Sequence, residues 1–303
     1  MTGPPAARWT PMTTPAAAAT ASVPFLSLDT LWLQVGGTVC NLACTHCFIS
    51  CSPTNHTHEM MGLGEVVALL DEAERLGVRD YGVTGGEPFL NREIFEILDA
   101  ILARGPVLVL TNGMLVTPAK AARLARLADE SEYSLDIRIS LDAPEEAAND
   151  AIRGRGAFRK AIEGMRNLVG AGFQPGIAVT RVDEATTNEE ILESFGALLR
   201  ANGVARSRVK IFEPWRIGAE AARARGYAPD ERVTPEMMEG FPPERLQCST
   251  SRIATARGVW VCPILVNEDR ARMGSTIAET LTSFPLYSGA CWTCHRFGAS
   301  CRV

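Results

Sequence analysis

The chain has 303 residues, of which 46% are hydrophobic and 21% charged, and a net charge of −5. These globular proportions exclude wholesale disorder and fibrous repeats; the acidic balance argues against nucleic acid as a partner, and no run of ~18 apolar residues exists to span a membrane. Nine cysteines are too many for an ordinary cytosolic enzyme and too few for a disulfide-stapled miniprotein, so they require a chemical explanation.

At ~150 residues per domain, the length fits one large domain, or one large and one small. Residues 1–24 are rich in Ala, Thr and Pro and poor in large apolar side chains. They lack the basic start and apolar stretch of a secretory signal, and a transit peptide would want more Arg and Ser. A disordered tail is expected over 1–26, with no folded recognition domain ahead of the first strand. A reducing cytoplasm is the default compartment, where clustered cysteines serve metals or redox centres more often than disulfides.

From residue 31 short apolar runs alternate with amphipathic stretches. Residues 31–35 (LWLQV) read as a strand. A helix follows over 63–76, with Val66, Leu69, Leu70, Ala73 and Leu76 on one face and Gly77 to end it. Residues 80–84 form the second strand, followed by Gly85-Gly86-Glu87-Pro88. A helix over 91–104 takes Asn91 as its N-cap and Gly105 beyond its end. Strands over 107–110, 135–141, 176–182 and 208–212 alternate with helices over 118–127, 158–169 and 188–202. Six strands alternating with helices predict right-handed βαβ units and a parallel sheet, an open or partial barrel rather than a full eight-fold one. Reactive residues then belong at the carboxyl ends of the strands. Cys40, Gly85-Gly86-Glu87, Asn112, Ser140 and Asp142 stand at such ends. Residues 219–247 read as a linker with one helix. The last stretch, 248–303, holds five of the nine cysteines and reads as a small module needing a metal to be stable.

Cys40, Cys44 and Cys47 are spaced C-x3-C-x2-C (CNLACTHC) in a loop after a strand. Three thiolates can hold three irons of a cubane and leave the fourth open for a ligand. A zinc site needs a fourth local ligand. Cys51, His46, His56 and His58 lie close enough in sequence to supply one, and Cys51 also allows a second frame starting at Cys44. Zinc alone leaves the downstream Gly-Gly-Glu-Pro unexplained.

These residues together resemble the radical S-adenosylmethionine (SAM) enzymes. The cysteine signature carries His46 in its aromatic position, Gly-Gly-Glu-Pro occupies 85–88, ISLDAPEEAANDAIRGRGAF occupies 139–158 and EPWRIG occupies 213–218. The last two resemble segments of the SPASM and twitch subfamily. The resemblance covers residues 30–300 and implies a partial (β/α)6 barrel over 27–218. It also implies that Cys40, Cys44 and Cys47 bind a 4Fe–4S cluster whose free iron is chelated by SAM. Gly85, Gly86 and Glu87 would receive the SAM amine, glycine because the backbone must come close and a carboxylate because it pairs with an ammonium. Ser140 and Arg153 would contact the ribose or carboxylate, Asn112 is a further contact, and His46 would lie near the adenine. Simpler readings stand beside these: a turn for Gly-Gly, a backbone-bonded hydroxyl for Ser140 and a surface ion pair for Arg153. Asp142 and Asp150 read as structural.

Cys248, Cys262, Cys291 and Cys294 follow a C-x13-C, 28-residue gap, C-x2-C layout, with Gly258 permitting a tight hairpin between two of them. This resembles the twitch form of the auxiliary-cluster module and implies one auxiliary 4Fe–4S cluster, fully ligated and suited to passing an electron. A zinc knuckle on the same residues, or Cys301 in place of one ligand, are the alternatives. Trp260 and Trp292 are expected to shield this cluster or pack as core. His295 is expected beside it without ligating. His56, His58, Trp215 and Arg216 are candidates for the cavity wall.

The resemblance implies an oxidoreductase or maturase. SAM is cleaved reductively, the 5′-deoxyadenosyl radical takes a hydrogen atom from a peptide, protein or small metabolite, and an electron passes to the auxiliary cluster. A reductant such as flavodoxin or ferredoxin is the expected partner. No catalytic base is legible. Two other readings are a redox-neutral radical SAM enzyme with a structural C-terminal metal site and a non-enzymatic iron–sulfur electron carrier.

Overall fold

The computed structural model describes residues 20–298, apart from 184 and 207. In chain order the elements are β1 (Ser22–Val23), β2 (Thr30–Leu33), α1 (Leu63–Arg75), β3 (Asp80–Val83), α2 (Ile94–Leu102), β4 (Val107–Thr111), α3 (Pro118–Glu130), β5 (Leu135–Ser140), α4 (Glu146–Arg153), α5 (Ala157–Gly170), β6 (Gly176–Thr180), α6 (Asn188–Ala201) and β7 (Val209–Phe212). They continue with α7 (Ala219–Arg223), α8 (Pro235–Met238), β8 (Ser251–Thr255), β9 (Gly258–Trp260), β10 (Arg272–Gly274), β11 (Phe284–Pro285) and α9 (Gly289–Phe297). The main sheet has nine strands in the order β10-β9-β8-β2-β3-β4-β5-β6-β7. Strands β2 to β7 pair in parallel through successive crossovers, which is the α/β partial barrel expected from the alternating pattern.

Side chains alternate across this sheet. Leu31 and Leu33 of β2, Val107 and Val109 of β4 and Ala254 of β8 pack in the outer core with the helices. Trp32, Leu108 and Ile253 belong to a second core inside the barrel, shared with the C-terminal cysteines. Trp32 lies opposite Gly82 in register. A Cβ at position 82 would stand 2.3 Å from the indole ring, so only glycine leaves room for the tryptophan there.

The C-terminal segment is not set apart from the barrel. Strand β8 pairs in parallel with β2, from Thr30 opposite Ser251 to Leu33 opposite Ala254, and β9 and β10 continue antiparallel. The sheet thus crosses the boundary expected at residue 248. Every residue of β8 is buried, as a strand covered on both faces requires. His58 fastens the loop before α1 to this segment. Its Nδ1 lies 3.1 Å from Thr255 Oγ1, its Nε2 lies 2.8 Å from the Val266 carbonyl, and its ring packs edge-on to Trp260.

Other expectations are corrected. Disorder does not extend through residue 26, because Ser22 and Val23 pair with Pro285 and Phe284; residues 1–19 lie outside those described. Asn91 precedes α2 rather than capping it. Its Nδ2 donates to the carbonyls of Val35 and Met61, binding β2 to the loop before α1. The linker holds two short helices instead of one. Helix α4 follows β5 and was not anticipated.

Adding a methyl group at Gly82 should force Trp32 out of place. Gly82→Ala is expected to lose about 1–3 kcal/mol of stability, read as a lower urea midpoint; an unchanged midpoint would show that the ring has somewhere else to go.

Candidate functional site

The loop from residue 34 to 62 carries four cysteines, and its path is fixed by backbone contacts. Gly86 N–H donates to the Gly37 carbonyl at 2.8 Å and Glu87 N–H to the Val39 carbonyl at 3.0 Å. A Cβ on Gly86 would stand 2.1 Å from the Val39 oxygen, and one on Gly85, at φ +150°, would stand 2.6 Å from Gly36 Cα. The two glycines border the cavity, but the space they save is filled by the cysteine loop.

Beyond them lies an open cavity bordered by Cys40, Cys44, Cys47 and Cys51 and by His46, Asn112, Ser140 and Arg153. The strand ends therefore converge as the sequence implied, except that Glu87 and Asp142 do not border the cavity. Glu87 is fully buried. Its Oε1 accepts from Phe89 N–H at 3.1 Å and Thr111 Oγ1 at 2.7 Å, and its Oε2 accepts from Asn112 N–H at 2.8 Å. Burial raises its pKa against the pull of these three donors. Glu87 therefore joins the end of β3 to the end of β4, and the ammonium partner expected for it is not what it faces. Asn112, held this way, points Nδ2 at Cys40 Sγ (3.8 Å) and at Asn41 Oδ1 (2.8 Å).

Arg153 and His46 share a carboxylate that the sequence reading had set aside as structural. Asp142 Oδ2 lies 2.7 Å from Arg153 Nε and 2.9 Å from His46 Nε2, while Oδ1 accepts from Thr180 N–H at 3.0 Å. Burial would raise the Asp142 pKa, but Arg153 and then His46 outweigh it and hold the carboxyl well below its ordinary range. This buried pair replaces the surface ion pair considered for Arg153. Helix α4 sets it up: Gly154, at φ +112°, ends the helix just after Arg153, and the Ile152 carbonyl accepts from Thr45 N–H at 2.9 Å in the cysteine loop. Asp150 accepts from the backbone of Phe158 at 2.8 Å at the start of α5, in keeping with a structural role.

Apart from the ion-paired Arg153 Nε, the buried polar atoms of this wall without a hydrogen-bond partner among the described residues are His46 Nδ1 and Gln34 Oε1. Such atoms are costly to leave unpaired and suit a polar ligand. Gln34 was missed. Its signal was a polar residue ending an otherwise apolar strand. His56 is exposed beside Glu59 and His58 is committed to the C-terminal segment, so neither borders the cavity. Arg216 pairs with Glu231 and stacks on Tyr227.

Burial pushes the Cys40 thiol up to about 11 and the Cys44 thiol up to about 12. Cys51 donates to Cys47, which lowers Cys47 and raises Cys51. A second, much smaller cavity has Cys248, Cys262, Cys291 and Cys294 on its walls among Val261, Leu265 and other apolar side chains. Burial raises Cys248 to about 11 and puts Cys262 and Cys291 well above their ordinary value. Buried thiols of this kind ionise readily only when cations bind them. Among the described residues, no three His, Cys, Asp or Glu side chains converge on a point that would hold a single ion. The cysteines border two separate spaces.

A buried cation lies beside the second set of cysteines. Arg252 is fully buried, and its guanidinium donates to the carbonyls of Thr280, Cys248, Ser251 and Thr282 at 2.6–2.9 Å. Burial lowers its pKa to about 10, against the pull of Cys248 and Cys262. Carbonyls satisfy its donors without balancing its charge, whereas a thiolate-bound cluster beside Cys248 would balance it. Trp260 and Trp292 do not border this cavity, and His295 is bound to the Met237 carbonyl at 3.0 Å and stacked on Phe241. Cys301 lies outside the described residues.

Comparisons with known proteins bear on the family and the fold. The Radical SAM superfamily profile matches residues 35–196. Mycofactocin maturase MftC of Mycolicibacterium smegmatis is 36% identical over 167 residues, 53% of this chain and 41% of that protein. GTP 3′,8-cyclase of Synechococcus is 31% identical over 218 residues, 64% of this chain and 58% of that protein. The chain thus spans less than two thirds of either relative. Streptococcus suis SuiB bound to S-adenosylmethionine shares the fold, with a TM-score of 0.65 at 15% identity over 89% of this chain and 72% of that one.

Replacing Asp142 with Asn keeps the shape but leaves Arg153 buried without a counter-charge. Asp142→Asn is expected to cost about 3–5 kcal/mol at pH 7. Because the folded-state pKa is depressed, the contribution is present above the unfolded value of ~3.9 and is lost as pH falls below it. Urea unfolding should therefore show a gap between wild type and variant at pH 7 that narrows toward pH 3; a gap independent of pH would contradict this.

Proposed function

Because the chain belongs to the radical SAM superfamily, and is therefore an enzyme using a 4Fe–4S cluster and SAM, we propose which of its residues serve that chemistry. Cys40, Cys44 and Cys47 hold the SAM-binding cluster, and Cys248, Cys262, Cys291 and Cys294 hold one auxiliary 4Fe–4S cluster. The observation carrying this reading is that the thiols of Cys40, Cys44 and Cys47, with Cys51 beside them, and the ends of the six parallel strands β2–β7 border one cavity. Together the bound cluster and SAM supply an electron and a 5′-deoxyadenosyl radical that takes hydrogen from carbon.

The chain's own residues hold and orient that chemistry. Asn112 donates to the Cys40 sulfur, a contact that stabilises the more negative cluster state. Gly85 and Gly86 set the cysteine loop against the end of β3, leaving backbone at the cavity edge for the SAM amine. Arg153, its Nε engaged by Asp142, turns the rest of its guanidinium toward the cavity for a carboxylate or ribose oxygen. His46, oriented through Nε2, offers Nδ1, and Ser140 offers a hydroxyl. Trp32, Leu110, Phe212 and Ile253 keep water from the cavity interior, as a carbon radical requires.

The substrate reading favoured is maturation of a peptide or protein, supported by 36% identity to a maturase. Oxidation of a small metabolite is the second reading, favoured by the longer match to GTP 3′,8-cyclase. A low-potential donor such as flavodoxin or ferredoxin supplies the electron, and the auxiliary cluster takes one back from substrate.

Changing Cys40, Cys44 and Cys47 together to Ala should remove about half the iron of the anaerobically reconstituted protein and abolish 5′-deoxyadenosine formation under dithionite. Changing Cys291 and Cys294 should also remove about half the iron but leave SAM cleavage. If iron content stays constant in the second variant, the auxiliary cluster is wrong.

A further inference from the structure

One side chain belongs to both cysteine sites. Trp215, just beyond β7, borders the cavity of Cys40, Cys44 and Cys47, and its Nε1–H donates to Cys294 Sγ at 3.4 Å. The indole is 5% exposed. It is gripped by Phe48, next to Cys47, with ring centroids 5.0 Å apart at 62°, and by Phe212 at 5.6 Å. An indole has a single donor and no acceptor, so here its whole polar capacity goes to one sulfur.

A hydrogen bond to a cluster sulfur stabilises the reduced, more negative state and raises the reduction potential. We propose that Trp215 is a positioning residue that raises the potential of the cluster held by Cys294 while forming the wall between that cluster and the reaction cavity. This rests on the proposed ligation by Cys248, Cys262, Cys291 and Cys294. A less negative potential is what a group needs if it is to take up an electron released next door. The residue type fits both duties. Phenylalanine would keep an apolar ring there but is smaller and could not donate, and a lysine or serine could donate but would not seal the cavity. Phe48 and Phe212 hold the ring plane, so the N–H direction is set by packing and does not depend on a flexible side chain.

The test is a redox titration of the anaerobically reconstituted full chain, followed by electron paramagnetic resonance. It compares wild type, Trp215→Phe and a variant carrying benzothienylalanine at 215, which keeps the bicyclic shape and replaces N–H by sulfur. Both variants should shift the auxiliary signal to more negative potential, leave the SAM-binding cluster's midpoint in place and keep about eight irons per chain. An unshifted auxiliary midpoint in the benzothienylalanine variant with full iron overturns the role of the hydrogen bond. A wild type that binds only about four irons overturns the ligation reading, and this inference with it. If Trp215→Phe loses iron through misfolding, the isosteric variant decides alone.

Discussion

The cysteine loop and the end of β3 touch backbone against backbone, with no room for a side chain between them. At Gly86 an added carbon would stand 2.1 Å from the Val39 carbonyl oxygen, and at Gly85 it would stand 2.6 Å from Gly36 Cα. This close approach lets Gly86 and Glu87 donate into the loop, and that pairing fixes where Cys40 begins. From the same point Glu87 turns inward and holds Thr111 and Asn112, and Asn112 reaches back to the Cys40 sulfur. A contact between two strand ends is thereby passed to the sulfur itself, through hydrogen bonds that are strong because they are buried and in part charged.

Two further ties complete the arrangement. On one side α4 presents its last carbonyls to the cysteine loop and its last side chain, Arg153, to Asp142. On the other, β8 lies beside β2 and brings the second set of cysteines within one tryptophan of the first. Both ties bury charge: Asp142 with Arg153 and His46, and Arg252 beside Cys248. Buried charge is tolerated where a counter-charge is near. For Asp142 the counter-charge belongs to the protein. For Arg252 four N–H donors end on carbonyls, and a thiolate-bound metal centre at Cys248 would supply the balancing charge.

Much of this was legible in the sequence, and the gaps have physical causes. The barrel strands announced themselves as apolar runs separated by amphipathic stretches, and the cysteine spacing pointed to the cavity. Helix α4 was missed because EAANDAIR carries few large apolar residues and makes its contacts through Arg153 and backbone carbonyls. Strand β8 was missed because SRIAT includes a buried arginine and two hydroxyls, which suggest surface until the carbonyls around Arg252 are seen. Glu87 was misplaced because a motif names a residue type without saying where its carboxylate points. Here three nearby donors capture it. Trp215 and Asp142 were singled out, but Cys294 lies 79 residues from Trp215 and His46 lies far upstream of Asp142, and only the fold brings them together.

The account depends on one iron of the first cluster being open to SAM. The most direct measurement is the electron paramagnetic resonance spectrum of the dithionite-reduced protein before and after SAM is added, made on a Cys291 and Cys294 double variant so that the second cluster does not contribute. The account predicts a change in the g-values of the remaining signal. An unaltered spectrum at saturating SAM would contradict it.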